Sequence, residues 1–464
     1  MSDSELPHRP ARSPGMKLLF VLLVAGSLVV PLLMVYGLVW DRQDQSQTAR
    51  ATITRGWGGP QLVTGPVLVV PYEQDVTTTT TENGKQVTRT DRVTRQFFVS
   101  PVDQKVTSTI DPEVKTKSIY ASVLYDATIK GSARFAMPDN LARIGIAPDD
   151  LKLDRMELRF GVSDPRGLQS GGNVTVGGQP LATMPGGGPE ATRGAGFHGF
   201  PEWDGTGMLD VAWGYELRGS ETLSLVPRGG NTEWSVTSPW PHPSFSGSFL
   251  PGDPAISDDG FSASYAIPDL ALGQSLASHE DLSPPNIDGT REYGIASSPD
   301  GSQAMAASIG LIEPVDLYSR IDRSVKYGFL IIGFTFLTFL MFDIVAGVPV
   351  AAAEYLLTGA GLVLFFVLLL AFSEVTGFAI AYLVASAAIV GLITAYGAAV
   401  LRSWKRARIV GALLAALYAA LYVLLSLEAW SLIIGSLLLF AALAGVMYGT
   451  RKVDWSAMGR PVID

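Results

Sequence analysis

LLFVLLVAGSLVVPLLMVYGLV, residues Leu18 to Val39, runs for 22 positions without a charged side chain. As a helix rising 1.5 Å per residue it reaches about 33 Å, enough to cross a hydrocarbon core of about 30 Å. A cleaved leader would hold about 7–15 apolar residues followed by a small-residue cleavage site. This run is longer and ends Tyr36-Gly-Leu-Val-Trp40, so it reads as an uncleaved anchor. Pro31 inside it predicts a kink. Arg9, Arg12 and Lys17 precede the run, and Asp41, Arg42 and Asp44 follow it. That asymmetry places residues 1–17 in the cytoplasm and starts the chain outside from Trp40.

A second apolar block follows residue 326 and divides into five further spans, 327–349, 355–372, 378–401, 409–427 and 431–449. The loop from Arg402 to Arg408 holds four cations, and the tail 450–464 adds Arg451, Lys452 and Arg460. Six spans put both basic segments in the cytoplasm, in agreement with the anchor. Arg320, Arg323 and Lys326 then stand outside, against the rule, from which long translocated segments are largely exempt.

Composition narrows the class. Of 464 residues, 47 % are hydrophobic and only 17 % charged. Soluble domains average about 25 % charged, so this is neither a disordered chain nor an ordinary soluble enzyme. The net charge is −9, with no basic stripe, which argues against nucleic acid as a partner. Absence of cysteine removes disulfides, thiolate metal sites, Fe–S clusters and thiol catalysis. The four histidines, His8, His198, His242 and His279, lack metal-ligand spacing. Gly-x-Ser-x-Gly, His-Glu-x-x-His and Walker A patterns are absent, so no catalytic residue, metal site or cofactor is expected.

Between the apolar blocks lies an exterior insert, residues 40–326. Its signals are those of strands. Val67–Val70 is apolar, Thr77–Thr81 runs into the hairpin dipeptide Asn83-Gly84, and 118–135, 156–160, 209–215, 233–236 and 261–265 alternate. Asp41–Arg55 is the one helical pattern there. The expected fold is a bundle of six transmembrane helices plus a large β-rich domain, an antiparallel two-layer sandwich. The glycine-rich stretch 171–199 fits either a linker between two lobes or a long surface hairpin.

Three acids at or inside predicted spans are candidate sites, because ionisable groups in hydrocarbon are costly. Asp343 lies several residues inside its span, whereas Glu354 and Glu374 fall at span ends, as does Glu428. None has a cationic partner within a span. Ion or proton binding is the functional reading; interfacial solvation or helix capping is the structural one. The exterior motif Trp240, Pro241, His242, Pro243 with Phe245 offers a second candidate. Its prolines fix φ around the histidine, which either presents imidazole to a ligand or membrane surface, or bonds a carbonyl while the aromatics pack. Ala441, Gly445 and Gly449 recur every four residues and suit close helix packing.

Several of these stretches resemble one family. Trp57-Gly-Gly-Pro-Gln61 with Gly65-Pro-Val-Leu68, and Ser238-Pro-Trp-Pro-His-Pro-Ser-Phe245 with Gly247 and Phe249-Leu-Pro251, are similar to exterior segments of CreD family inner-membrane proteins. Glu354-Tyr-Leu-Leu-x-Gly359, Leu368-Leu-Leu-x-Phe-Ser-Glu374 and Gly377-Phe378 look like that family's membrane part. One departure is visible: the family commonly has His after the Glu of the Ser-Glu pair, and here Val375 stands there. The resemblance implies a multi-pass inner-membrane protein with a periplasmic domain and a role in cell-envelope integrity. The family is an output of a two-component system responding to carbon source and β-lactam stress, and no reaction is established for it. The expected role is therefore non-enzymatic binding of a periplasmic or envelope component, with the lipid bilayer as the other partner. The alternative is a proton-linked transporter or lipid flippase using the embedded acids.

Overall fold

The computed structural model describes residues 14–82, 85–117, 120–139, 141–169, 172–273, 275–281, 305–311, 317–345, 349–426 and scattered positions from 433 to 451. The chain divides into two compact units, residues 1–47 with 315–464, and residues 48–314.

The anchor is two helices in line, α1 (Pro14–Ser27) and α2 (Val29–Arg55). The break at Leu28 lies one turn before Pro31, where the missing Pro31 N–H and the ring's clash with the Ser27 carbonyl fall. Bonds from Leu28 N–H to the Val24 carbonyl and from Leu32 N–H to the Leu28 carbonyl carry the helix across it.

The 48–314 unit is built from strands. In chain order these are β1 (Gln61–Glu82), β2 (Lys85–Val99), β3 (Asp103–Lys117), β4 (Tyr120–Ala136), β5 (Glu157–Val162), β6 (Asn173–Val176), β7 (Gln179–Leu181), β8 (Thr183–Pro185) and β9 (Gly196–Gly199). There follow β10 (Met208–Ser220), β11 (Thr222–Val226), β12 (Asn231–Ser238), β13 (Pro243–Gly247), β14 (Ala255–Ser257), β15 (Gly260–Pro268), a short helix α3 (Asp269–Leu272), β16 (Ala277–Ser278) and β17 (Ala307–Leu311).

Two sheets result. The first runs β13-β17-β11-β1-β5-β9-β8, with β2 on β1 and β16 on β2; the second runs β14-β15-β12-β3-β4-β10-β6-β7. Period-two patterning explains the second sheet. Leu209, Val211, Trp213, Tyr215 and Leu217 of β10 are buried while their neighbours face out, and β12 and β15 follow the same rule. Val67–Val70 is buried on every residue, as a strand with neighbours on both sides and cover on both faces must be. One apolar cluster draws on both sheets. Phe160 meets Trp213, Phe197 meets Tyr215 and Phe245 meets Phe261, with ring centroids 5.6, 5.7 and 5.8 Å apart.

The expectation of purely antiparallel sheets is corrected. β1 pairs parallel to β11, and β3 parallel to β12. Long crossovers make such pairs, and alternation within single strands carries no information about them. The Glu82–Lys85 pair closes the β1–β2 hairpin across Asn83-Gly84, which lie outside the described residues. The glycine-rich stretch supplies β6 and β7 to the second sheet and β8 and β9 to the first. Gly177 and Gly178, at φ 56° and 80°, form the two-residue β6–β7 turn, a geometry that favours glycine at both positions.

The other unit continues with α4 (Leu317–Lys326), α5 (Gly328–Val345), α6 (Ala352–Thr376), α7 (Phe378–Val400) and α8 (Trp404–Ser426). Among the described residues five helical stretches are long and apolar enough to cross a membrane: 16–54, 317–343, 352–376, 378–400 and 404–426. Described positions within 431–449 are helical. An amphipathic helix, α4, precedes the second span, over residues that the sequence assigns to the end of the exterior insert. It buries Tyr318, Ile321, Ser324 and Val325 on one side.

Candidate functional site

The anchor packs through a sparse stripe. Val21, Leu28, Val35 and Val39 are buried, whereas most of its other apolar side chains are exposed. Spacings of seven, seven and four residues return to one helix face. Leu28 fits a notch at Gly359 of α6: a Cβ there would lie 2.0 Å from Leu28 Cδ1. Small residues allow such close approach where apolar association with lipid offers little driving force.

Each end of that stripe carries an ion pair. At one end Lys17 Nζ donates to Asp343 Oδ1 at 2.7 Å, and Asp343 is 4 % exposed. At the other end Arg42 Nε lies 4.0 Å from Glu374 Oε1, to which the Tyr318 hydroxyl also donates at 3.2 Å. Lys17 and Arg42 stand about 38 Å apart at helical rise, so the two pairs bracket the whole apolar length. The cationic partners of Asp343 and Glu374 come from the flanks of the first predicted span, Lys17 before it and Arg42 after it. Lys17 reads from sequence as a topogenic flank, yet it neutralises a buried carboxylate 326 positions away. No local signal foretells that pairing.

Glu354 has a different place. Its Oε2 accepts the Ala351 N–H at 2.7 Å, and it stands in the first turn of α6. A carboxylate there satisfies a free N–H and complements the helix dipole. Nearby, the Tyr355 hydroxyl is buried without a hydrogen-bond partner, its ring edge-on to Phe336 at 5.3 Å. Ala441, Gly445, Gly449 and Glu428 lie outside the described residues.

The Trp240–Phe245 motif belongs to the strand-built unit, on the edge of the first sheet. Trp240 and Phe245 pack against the core, and Ser238 Oγ accepts the Trp240 N–H at 3.3 Å. His242 is exposed between Pro241 and Pro243, which leads β13.

Sequence reasoning missed a polar hub at the α2–β1 junction. Gln61, 1 % exposed, donates from Nε2 to the Asp164 and Arg218 carbonyls at 3.1 and 2.9 Å. Its Oε1 accepts from Ser163 Oγ and the Asp164 N–H, both at 3.2 Å. Gly58, at φ 120°, must be glycine, since a Cβ would meet the Arg218 carbonyl at 2.7 Å. Lys115 Nζ and Arg218 Cζ lie over the Trp57 ring, 3.6 and 4.0 Å from its centroid. The Arg166 hydrogen bond holds the Asp164 carboxyl below the usual range, against partial desolvation, helped by the Arg166 and Gly59 N–H groups. Glu73 is likewise held low, first by Lys152 and then by Arg92. Burial pushes the Tyr125 hydroxyl up; it donates to the Thr222 carbonyl at 2.8 Å. Clustered Gly, Pro and Gln at 57–61 was the available signal.

The outward face of the second sheet holds a hollow of ≈ 910 Å³. Ser132 and Ala212 line its floor, and Asp103, Lys105, Arg134 and Glu233 its rim. Arg134 is bonded to Asp103, and Lys105 Nζ lies 2.9 Å from Glu233 Oε2. The hollow is thus open and mixed in character: the acids Asp103, Asp210 and Glu233 and the cations Lys105 and Arg134 share it with Ala212, Ile267 and Pro268. Among the described residues no group of three His, Cys, Asp or Glu side chains could hold a metal ion.

Comparison with known proteins places these features. Among solved structures, the chain is similar to an M1 zinc metallopeptidase from Deinococcus radiodurans at TM-score 0.20 and 9 % identity, over 37 % of this chain and 40 % of that one. A mutant of that enzyme bound to a Tyr-Ser-Ala substrate gives TM-score 0.20, 8 % identity and coverage of 36 % and 39 %. Likeness that shallow carries no structural or functional argument. "Inner membrane protein CreD" from Escherichia coli (strain K12) is 31 % identical over 442 residues, 94 % of this chain and 92 % of that protein. The family model described as inner membrane protein CreD matches residues 13–456, spanning the anchor, both sheets and the later helices, so the chain belongs to the CreD family of inner membrane proteins.

Proposed function

We propose that this inner-membrane protein supports cell-envelope integrity by non-enzymatic binding. Its β-rich domain, a two-layer sandwich in the periplasm, engages an envelope component through the open face of the second sheet. Six spans, with both termini cytoplasmic, hold it there. The observation that carries this reading is the ≈ 910 Å³ hollow, lined by the pairs Arg134–Asp103 and Lys105–Glu233, by Asp210 and by apolar side chains such as Ala212 and Ile267. Such a surface suits a ligand that carries both charged groups and apolar parts. Against the transporter or flippase alternative stand the partners of the acids: Asp343 has Lys17, Glu374 has Tyr318 and Arg42, and Glu354 serves its helix end.

The test is complementation of a strain that lacks the gene and is sensitive to detergent or β-lactam. Ser132→Arg and Ala212→Arg fill the hollow from exposed positions, so membrane abundance should hold while survival falls. Full survival at normal abundance with both substitutions would refute the binding face. Turnover of an envelope substrate by the purified protein, abolished by one acid or histidine substitution, would refute the non-enzymatic reading.

A further inference from the structure

A second hollow, of ≈ 460 Å³, opens at the other end of β12, lined by Thr109, Thr237, Ser257 and Ser262 with Pro239 and Ile256. Strand parity puts it on the same face as the larger one. Lys105 and Thr109 of β3, like Glu233 and Thr237 of β12, sit four positions apart, and residues at even spacing share a face. At about 3.3 Å per residue the two hollows lie about 13 Å apart along the strands. The row between them belongs to neither: Thr107, Ser235 and Ser264 stand in register on β3, β12 and β15. Thr109, Thr237 and Ser262 form the next row. All six are exposed, and their hydroxyls make no hydrogen bond to other described residues.

Hydroxyls both donate and accept, so a grid of them matches a ligand that does the same at close spacing, as sugar hydroxyls do. Exposed Pro239 and Ile256 add apolar area for the C–H faces of sugar rings. Charge narrows the class. Asp103, Asp210, Glu233 and Asp259 line the two hollows against Lys105 and Arg134. Both cations are held in pairs, Arg134 with Asp103 and Lys105 with Glu233. Asp210 is exposed on β10, opposite Arg134 in register, and its carboxylate has no ion-pair partner among the described residues. A polyanion would meet surplus carboxylates here and no unpaired cation among the described residues. An ammonium group would meet its complement in Asp210.

We infer, on the reading that this face is the binding face, that its ligand is one extended glycan chain carrying an ammonium group. The ammonium lies against Asp210, the sugars reach from one hollow to the other, and the middle of the chain rests on the row of Thr107, Ser235 and Ser264. A single sugar fills one hollow only, whereas a tetrasaccharide covers both. Contacts too weak to hold a ligand singly then act together.

The test is calorimetric titration of the full chain in detergent. The ligands are N-acetylglucosamine, its β-linked tetrasaccharide, and the same tetrasaccharide lacking one acetyl group, which exposes an ammonium. A galacturonic acid tetrasaccharide is the acidic comparator. The tetrasaccharide should bind at least about 100-fold more tightly than the single sugar. The ammonium form should gain about fivefold more. Ser235→Arg, outside both hollows, should bring the tetrasaccharide down to the level of the single sugar and leave the single sugar unchanged. Thr107→Arg makes the same test should that variant not fold. Asp210→Asn should erase the preference for the ammonium form. Unchanged tetrasaccharide binding by folded Ser235→Arg would overturn the extended site, and equal or tighter binding of the acidic tetrasaccharide would overturn the charge of the ligand. No binding of any glycan, with Ser132→Arg and Ala212→Arg still losing survival in complementation, would overturn the glycan and leave the binding face standing. Full survival of those two variants would remove the face itself.

Discussion

Removing Lys17 should cost far more than removing a charge at a membrane surface. Asp343 is 4 % exposed and Lys17 is its hydrogen-bonded partner at 2.7 Å. Lys17→Ala leaves that carboxylate buried and uncompensated, and breaking a buried pair in this way costs about 3–5 kcal/mol. An exposed pair would lose only about 0–1 kcal/mol. Replacing both partners by apolar residues of similar size removes the unpaired charge, and such swaps are neutral or stabilising by about 1–4 kcal/mol. The sign of the second change therefore depends on the first. Asp343→Leu should destabilise alone, leaving Lys17 with an apolar neighbour, and should rescue Lys17→Met. The assay is reversible denaturation of the purified full chain for wild type, both single variants and the double variant, completed as a cycle. The coupling should exceed about 2 kcal/mol, above the few tenths found for independent sites. Additive single effects, or Lys17→Ala within about 0.5 kcal/mol of wild type, would refute the claim that this pair docks the anchor.

Other outcomes follow from the packing and the polar hub. Gly359→Ala should cost about 1–3 kcal/mol by overpacking against Leu28, and Leu28→Ala should recover part of it in a thermal melt of the double variant. Gln61→Leu should destabilise by about 2–4 kcal/mol, because the Asp164 and Arg218 carbonyls and the Asp164 N–H lose their partners together. Asp164→Asn should lose about 0.5–1 kcal/mol at pH 7, small because Arg166 is largely exposed. Since folding lowers the Asp164 pKa, that contribution is complete above its unfolded value near 3.9 and is lost as pH falls through the lower folded value. Acid denaturation of wild type and Asp164→Asn should converge there.

The sequence shows its architecture where the signal is local. Apolar runs of 18 residues or more mark the spans from α5 to α8, and alternation in 209–215, 233–236 and 261–265 marks β10, β12 and β15. Signals that depend on distant chain were hidden. The parallel pairing of β1 with β11 joins residues about 160 positions apart, and the Lys17–Asp343 pair joins residues 326 apart. Pro31 announced a kink, and the break fell one turn earlier because the lost bond reaches back four residues. α4 was missed for a different reason: ten residues with four charges read as the end of a polar domain, although their spacing buries four on one face. Of the candidate sites, the acids were legible as costly groups, but what offsets that cost was not.

In the proposed function Asp343 and Glu374 hold the anchor while the work is done by the exterior domain. The direct measurement is complementation with the Lys17→Met/Asp343→Leu protein, which has no ionisable group left at that pair. Survival in detergent and β-lactam at wild-type membrane abundance is the predicted result. A double variant that is folded and abundant yet fails to restore survival would mean that Asp343 acts through its charge or its proton, and the transporter reading would replace this one.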